Sequence, residues 1–402
     1  MAPTFTTHPK YILAAGDCVE VMTMMPADHV DSLVTDPPAG IGFMNKDWDH
    51  DKGGRDAWIA WMRGVMTEAR RVLKPGAHGL VWAIPRTSHW TATALEDAGF
   101  EIRDVVTHHF GTGFPKSLNV GEGRGTALKP ASENWILVRK PCDGTTTGNV
   151  AAHGTGGLNI EACSIACEVR PAREPTGRTG RLYGAGLAGS RAAGTTEDGR
   201  WPANLVLSHT DWCEDAECMP GCPVLLLNTQ SGLLKSGKDT IKRKSAKGSA
   251  PRALGAESRA EGSPQIFYGD SGGAARFFYC AKPSTKEREA GLAHLPMRAS
   301  TEITNRDENS AGIQSARAGA GRSSARANHH PTVKAIALMR WLVRLVTPVS
   351  GTVLDPFMGS GSTGVAAIHE SRRFIGIDSE PDYAPVYAAR LEHAVAEAAK
   401  AT

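Results

Sequence analysis

Two apolar runs at opposite ends of this chain each stop at a carboxylate, and together they restrict its fold more than any other feature. The first is Val34-Thr35-Asp36-Pro37-Pro38; the second is Val353-Leu354-Asp355-Pro356-Phe357-Met358-Gly359-Ser360-Gly361-Ser362-Thr363. A short unbroken apolar run closed by proline or glycine reads as a strand buried on both faces of a parallel sheet. Ligand sites in open α/β sheets lie beyond the carboxyl ends of such strands. Both runs therefore predict strands that end at a site, in a sheet assembled from both ends of the chain.

A chain of 402 residues exceeds the usual span of one hydrophobic core, so a catalytic domain with a second module is expected. The formal net charge of +3 argues neither for nor against a polyanionic partner, which is met by a local basic face rather than by the average. No apolar stretch approaches the ~20 residues of a membrane span. Met1 to Lys10 lacks the basic-then-apolar order of a signal peptide, so the cytosol is the expected place, with no membrane partner. Eight cysteines, unevenly clustered, indicate free thiols or a metal site rather than a disulfide framework. The sequence sets no oligomeric state.

The first part of the chain alternates strands and helices. Tyr11-Ile12-Leu13 and Val30 to Thr35 read as strands; Ala57 to Leu73 has helical periodicity and stops at Lys74-Pro75-Gly76, where proline and glycine end helices. His78 to Ile84 is another strand and Ser88 to Ala98 a helix closed by Gly99. Ile102 to Thr107 and Trp135 to Arg139 form a closing antiparallel pair. From about Pro141 to Arg326 the chain turns rich in Gly, Ser, Thr, Arg and Ala, with brief apolar runs at Trp201 to Leu207 and Val224 to Leu227. Regular pattern returns with a helix at Thr332 to Val346, a strand at Thr352 to Asp355, a helix at Thr363 to His369, a strand at Arg373 to Asp378 and a last helix from about Pro381. The expected organisation is a catalytic half at 1–140, an insertion at 141–290, a flexible connector at 291–330 and a second catalytic half at 331–402.

In the glycine loop, a strand followed by Gly-x-Gly and a helix N-terminus lets backbone N–H groups approach a ligand with no Cβ in the way. Alone, such a loop also serves as a structural turn or a dinucleotide site. With Gly376-Ile377-Asp378 closing the next strand, where an acid can hold ribose hydroxyls, the loop and the Asp36-Pro37-Pro38 motif resemble the two signature motifs of S-adenosylmethionine-dependent DNA amino-methyltransferases. The catalytic motif comes first and the cofactor motif last, as in the β class of that family. The resemblance implies an α/β fold: a Rossmann-like class I methyltransferase sheet, of the seven-stranded type and circularly permuted, with a large inserted target-recognition module that reads double-stranded DNA. It also implies a methyl donor, S-adenosyl-L-methionine, and restriction-modification as one setting.

The resemblance places Asp355, Phe357, Gly359, Gly361 and Thr363 beside the methionine part of the cofactor and makes Asp378 the ribose acid. Asn328-His329-His330-Pro331-Thr332-Val333-Lys334 resembles the family segment that packs on the cofactor, which marks His330 and Lys334. Ala335 stands where the family has a final proline. Gly16-Asp17-Cys18 resembles the adenine-contacting Gly-Asp; a helix N-cap is the other reading of Asp17.

Methylating an exocyclic amine requires a nitrogen lone pair that is otherwise delocalised into the base. An acceptor on the amine N–H helps rehybridise the nitrogen, so Asp36 is the candidate acceptor, and Pro37 and Pro38 hold the backbone still. Asp before Pro-Pro goes with adenine N6 in the family and Ser with cytosine N4, so adenine is favoured and cytosine is the alternative. Family members follow the prolines with an aromatic residue on which the flipped base stacks. This chain has Ala39. Phe43 and Trp48 are the candidate replacement rings, read otherwise as core residues; a catalytically impaired DNA-binding relative is the remaining reading. A relative acting on RNA or on a protein glutamine would keep the cofactor motifs without so large a basic insertion.

Within the insertion, His209, Cys213, Cys218 and Cys222 gather four soft ligands, the set that structural zinc takes. Unligated thiols are the other reading, with Asp211, Glu214 and Asp215 as oxygen competitors. Cys163 and Cys167 form a second close pair, read either as further ligands or as small core residues on one side of a helix turn. Lys235, Lys238, Lys242, Arg243, Lys244, Lys247, Arg252 and Arg259 crowd one segment, either a phosphate-binding face or a solvated linker. Ordered structure is expected again at Ser271 to Cys280. Ala299 to Ala327, with Arg306, Arg317, Arg322 and Arg326, is expected to be mobile without DNA.

Overall fold

The computed structural model describes residues 2–43, 46–111, 113, 117–167, 170–175, 190–196, 199–211, 213, 217–235, 241–242, 264–265, 271–304 and 325–401. Its contacts divide the chain into two units. Met1–Cys163, Asn204–Val224 and Cys280–Thr402 form the first; Ser164–Ala203 and Leu225–Tyr279 form the second.

The first unit is built on a ten-stranded sheet. In chain order its strands are β1 (Thr4–His8), β2 (Tyr11–Ala15), β3 (Val30–Thr35), β4 (Leu73–Ala83), β5 (Glu101–His109), β6 (Ser132–Arg139), β7 (Leu205–Ser208), β8 (Tyr279–Ala281), β9 (Thr352–Asp355) and β10 (Arg373–Asp378). Across the sheet they run β1-β2-β10-β9-β3-β4-β6-β5-β7-β8. The two ends of the chain interleave at its centre: β9 lies parallel to β3 on one side, Leu354 opposite Leu33, and to β10 on the other, Asp355 opposite Gly376. β10 continues parallel to β2, Asp378 opposite Ala15. Every residue of β3 and β9 is buried, as expected of strands covered on both faces. Asp36, Asp355, Asp378 and Asp17 thus emerge at one edge of the sheet. The expected antiparallel pair is β5 with β6, and β6 also pairs antiparallel with β4.

Helices α1 (Cys18–Thr23), α2 (Arg55–Val72) and α3 (Ser88–Asp97) pack in succession, as do α5 (Ile336–Val346), α6 (Ser362–His369) and α7 (Ala384–Ala401). Helix α2 ends where expected, but Lys74-Pro75-Gly76 lies inside the span of β4 instead of forming a separate loop. Gly76 adopts a φ of +73°, and the β3–β4 register is irregular between Val30 and Ser32. Helix α5 begins at Ile336 rather than Thr332: Ala335 is extended at φ −63° and ψ 129°, and the residues before it cross the site described below.

Parts of the stretch read as insertion fold with the sheet. Helix α4 (Thr146–His153) packs on β4, and the apolar Leu205-Val206-Leu207 run pairs parallel with β5, Thr107 opposite Leu205. Asn159 donates to the carbonyls of Arg344 at 2.8 Å and Thr347 at 2.7 Å. Cys163 is buried beside the Trp341 carbonyl, the core position expected of it. Within the connector, Leu292 and Ala327 pack against Val386 and Ala389 of α7, while Arg306, Arg317 and Arg322 lie outside the described residues. Among the described residues no helix is long and apolar enough to cross a membrane.

Asp31 fastens the central strands. One carboxylate oxygen accepts from the Thr352 N–H at 2.7 Å and the other pairs with Lys74 at 2.6 Å. Asp31→Ala leaves a buried amide of β9 without its acceptor, a loss of about 1–3 kcal/mol. Equilibrium denaturation should show that loss; a change below ~0.5 kcal/mol, the range of ordinary surface substitutions, would contradict this account of the strand junction.

Candidate active site

Asp36 leaves the end of β3 and meets Lys334, whose Nζ lies 2.9 Å from its carboxylate. The same ammonium is 3.7 Å from Glu133 at the start of β6 and 4.1 Å above the ring of Trp82 in β4. Glu133 also accepts from Trp82 Nε1 at 2.6 Å and meets His108 Nδ1 at 2.7 Å. His108 Nε2 lies 2.7 Å from the hydroxyl of Ser208 at the end of β7. Burial pushes the Asp36 carboxyl up to about 6 although Lys334 opposes it. Glu133 is equally desolvated, yet Lys334, His108 and Trp82 together hold it down to about 2. Burial alone would lower Lys334, but the two carboxylates outweigh that and raise it.

The segment after the prolines is organised by Asp49, which is 1% exposed. Its Oδ1 accepts from the N–H groups of Ala39 at 2.5 Å and Gly40 at 3.1 Å, and its Oδ2 from Phe43 at 2.7 Å. Gly40 has a φ of +69°, and a Cβ there would sit 2.7 Å from the Trp58 ring. Ala39 is buried and its carbonyl accepts from Thr87 at 3.1 Å. The Trp48 ring stacks on His330 at 6.4 Å.

Beside them lies the glycine loop. Asp355, 1% exposed, accepts from Thr35 at 2.6 Å, Thr363 at 2.6 Å and the Phe357 N–H at 3.1 Å. It braces β3, β9 and the start of α6 together. Asp378 accepts from the Gly359 N–H at 2.7 Å and the Glu380 N–H at 2.8 Å. Burial raises Asp355 to about 6 and Asp378 to about 7 against those hydrogen bonds. Asp17 caps α1 by accepting from Val19 at 2.9 Å and Glu20 at 3.0 Å, and burial pushes the adjacent Cys18 thiol up to about 12. His330 rests edge-on against Tyr383 at 4.6 Å; burial, with Arg288, Lys334 and Arg390 nearby, lowers it to about 3.

One cavity of about 1100 Å³ opens between these groups. Asp36, Pro37, Pro38 and Phe43 line it, as do Asp17, Cys18, His330, Lys334, Asp355, Phe357, Gly359, Thr363 and Asp378. Gly361 is not on that wall. Its φ of +77° forms the N-terminal turn of α6, and a Cβ there would meet Leu391 at 2.7 Å. Trp48, Trp61 and Trp82 add rings to the cavity wall.

Residues 30–153 and 194–389 match the N6_N4_Mtase family model, DNA methylase. The chain belongs to that family. Its curated relatives include the type II methyltransferases M2.DpnII of Streptococcus pneumoniae, 46% identical over 66 residues (16% of this chain, 25% of that one), and M.BglI of Bacillus subtilis, 56% identical over 48 residues (12% and 14%). The matched stretches thus span a quarter or less of those relatives. Among solved structures, the cytosine-N4-specific PvuII DNA methyltransferase is 14% identical, with 98% of this chain and 93% of that chain covered and a TM-score of 0.47.

Glu133, Trp82, Asp49 and His108 were not expected at the site from sequence. Glu133 and His108 lie directly opposite each other, just beyond the ends of the two segments read as a closing pair, Trp135 to Arg139 and Ile102 to Thr107. Extending that register would have brought acid and imidazole together. His209, Cys213, Cys218 and Cys222 do not line the cavity, but they do converge. Glu214 and Asp215 lie outside the described residues, as do Lys238, Arg243, Lys244, Lys247, Arg252 and Arg259; Lys235 is exposed.

Lys334→Met removes the cation that holds the Asp36 carboxyl down against burial, so Asp36 should titrate above about 6. Carboxyl-carbon NMR across a pH series measures this. An Asp36 midpoint that stays in place or falls would refute the pairing.

Proposed function

We propose that the chain is a site-specific DNA methyltransferase. It moves a methyl group from S-adenosyl-L-methionine to the exocyclic amine of a base turned out of double-stranded DNA, with adenine N6 as the preferred acceptor. The observation that carries this reading is that Asp36 and Asp378 open on one cavity. That cavity is at or above the ~300–1,000 Å³ of a single small-molecule pocket, so it accommodates a nucleoside-sized cofactor with an acceptor base beside it. The donor set fits as well: carboxylates at the ends of adjacent strands suit hydroxyls and a cationic ligand, and the aromatic walls suit purine rings.

When bound, S-adenosyl-L-methionine supplies an electrophilic sulfonium methyl. Asp378, fixed by two backbone N–H groups, keeps lone pairs for ribose hydroxyls. Gly359, at a φ of +52°, brings its backbone to the cavity wall with no side chain. Asp36 accepts the N–H of the target amine and takes the proton that the methylated nitrogen sheds, while Lys334 sets the orientation of its carboxylate. The choice of adenine rests on the residue before Pro37 being Asp. Phe43 is the stacking ring of choice, because the Asp49 carboxylate that binds the Ala39 N–H also binds its own. The Asp36–Lys334–Glu133 array favours a working enzyme over an impaired relative. The second unit, Ser164–Ala203 and Leu225–Tyr279, is the proposed reader of DNA sequence, and the cytosol the proposed place of action.

Asp36→Asn should reduce turnover by about 10²–10⁴-fold with cofactor affinity retained in calorimetry. In the wild type, a raised Asp36 pKa keeps the acid form up to about 6; since the ionised form is the acceptor, kcat/KM should rise with pH through that value and then level. Mass analysis of nucleosides from treated DNA should show N6-methyladenine. N4-methylcytosine would overturn the base assignment, and full activity in Asp36→Asn the chemistry.

Phe43→Ala should weaken capture of a fluorescent base analogue at the target position by ~1–3 kcal/mol, the value of one base–aromatic stack. Unchanged capture there, with loss in Trp48→Ala, would move the stacking role to Trp48.

A further inference from the structure

We propose that His209, Cys213, Cys218 and Cys222 form a structural zinc site beside the cavity-side end of β7. The four ligand atoms lie within 4.8 Å of one another. His209 Nδ1 is 3.3 Å from Cys218 Sγ and 3.5 Å from Cys222 Sγ. A tetrahedral ion with Zn–S of about 2.3 Å and Zn–N of about 2.0–2.1 Å places its ligand atoms roughly 3.6–3.8 Å apart, so these side chains already stand near the corners of such a tetrahedron. One ring nitrogen carries at most one proton and cannot serve two thiols as donor; a shared cation satisfies all of them.

The local backbone is arranged around the sulfurs. The Met219 N–H points at Cys213 Sγ at 3.5 Å, and the Thr210 hydroxyl lies 3.2 Å from the same sulfur, the kind of outer-shell contact that orients metal thiolates. Gly221, at a φ of +84°, turns the chain so that Cys222 returns to Cys218. All eight cysteines are free thiols, so no disulfide competes for the set. Among the described residues no other group of three or more His, Cys, Asp or Glu converges in this way.

The position gives the ion a purpose. The backbone N–H of His209 donates to the Ala281 carbonyl of β8 at 2.9 Å, and His209 follows Ser208, the residue that meets His108 and through it Glu133. An ion on His209 fixes the end of β7 from which that hydrogen-bond chain starts, in a loop with little apolar surface of its own. Zinc here acts on position and stability and supplies no chemistry to the cavity.

The full chain, purified without chelator, should carry about one equivalent of zinc by elemental analysis, and cobalt(II) exchanged into it should show thiolate charge-transfer and tetrahedral d–d bands. Cys218→Ser and Cys222→Ser should each weaken metal retention at least about tenfold in competition with a chromophoric chelator, whereas Cys142→Ser should retain it fully. Zinc-free protein that takes up neither zinc nor cobalt while its thiols react freely with a disulfide reagent would overturn the site. So would equal loss of metal from Cys142→Ser. Because the metal is counted directly in the wild-type chain, misfolding of a variant does not remove the test.

Discussion

The ammonium of Lys334, held between two carboxylates over an indole ring, is the contact on which the rest of the site depends. It lies just before α5, yet its partners are Asp36, just past the end of β3, Glu133 in β6 and Trp82 in β4. Two carboxylates sharing one ammonium leave a net negative charge, and the protein divides it unevenly. Glu133 takes additional donors and stays ionised, while burial leaves the Asp36 carboxyl raised to about 6. A base poised near operating pH is what proton transfer requires. An unequal supply of donors to two equally buried acids pushes their pKa values apart.

The interleaving of the chain ends makes this arrangement reachable. β9, from the C-terminal part, lies between β3 and β10, so a parallel register aligns the carboxyl ends of strands far apart in sequence. The brace through Asp355 to Thr35 and Thr363 then couples the proline motif to the glycine loop. Misplacing one by an ångström misplaces the other, which matters because orientation supplies most of the proposed rate.

Much of this was legible in the residues. β3, β9 and β10 were readable to the residue because each carries a short apolar stretch that stops at Asp or Thr. The cavity residues were legible wherever a short motif carried them, as in Asp36 to Pro38 and the 355–363 loop. What the sequence hid depends on tertiary pairing. Glu133 is an ordinary strand residue until β6 is registered on β5, and Asp49 is one of several acids in a polar turn until the backbone folds over it. Gly361 shows the converse: its glycine is demanded by a left-handed turn and by Leu391 rather than by the cavity. The segments 146–153 and 205–207 read as insertion by composition, but β4 packing and the open edge of β5 draw them into the sheet unit.

Asp49 has one more implication. The peptide N–H groups of Ala39, Gly40 and Phe43 end on a single carboxylate, so the loop's shape is written at position 49 and not at position 39. Side-chain identity on the cavity face is thereby decoupled from backbone conformation. Residues 41 and 43 form an exchangeable surface on a fixed frame, a platform on which side chains can change without the Asp36 carboxylate having to move.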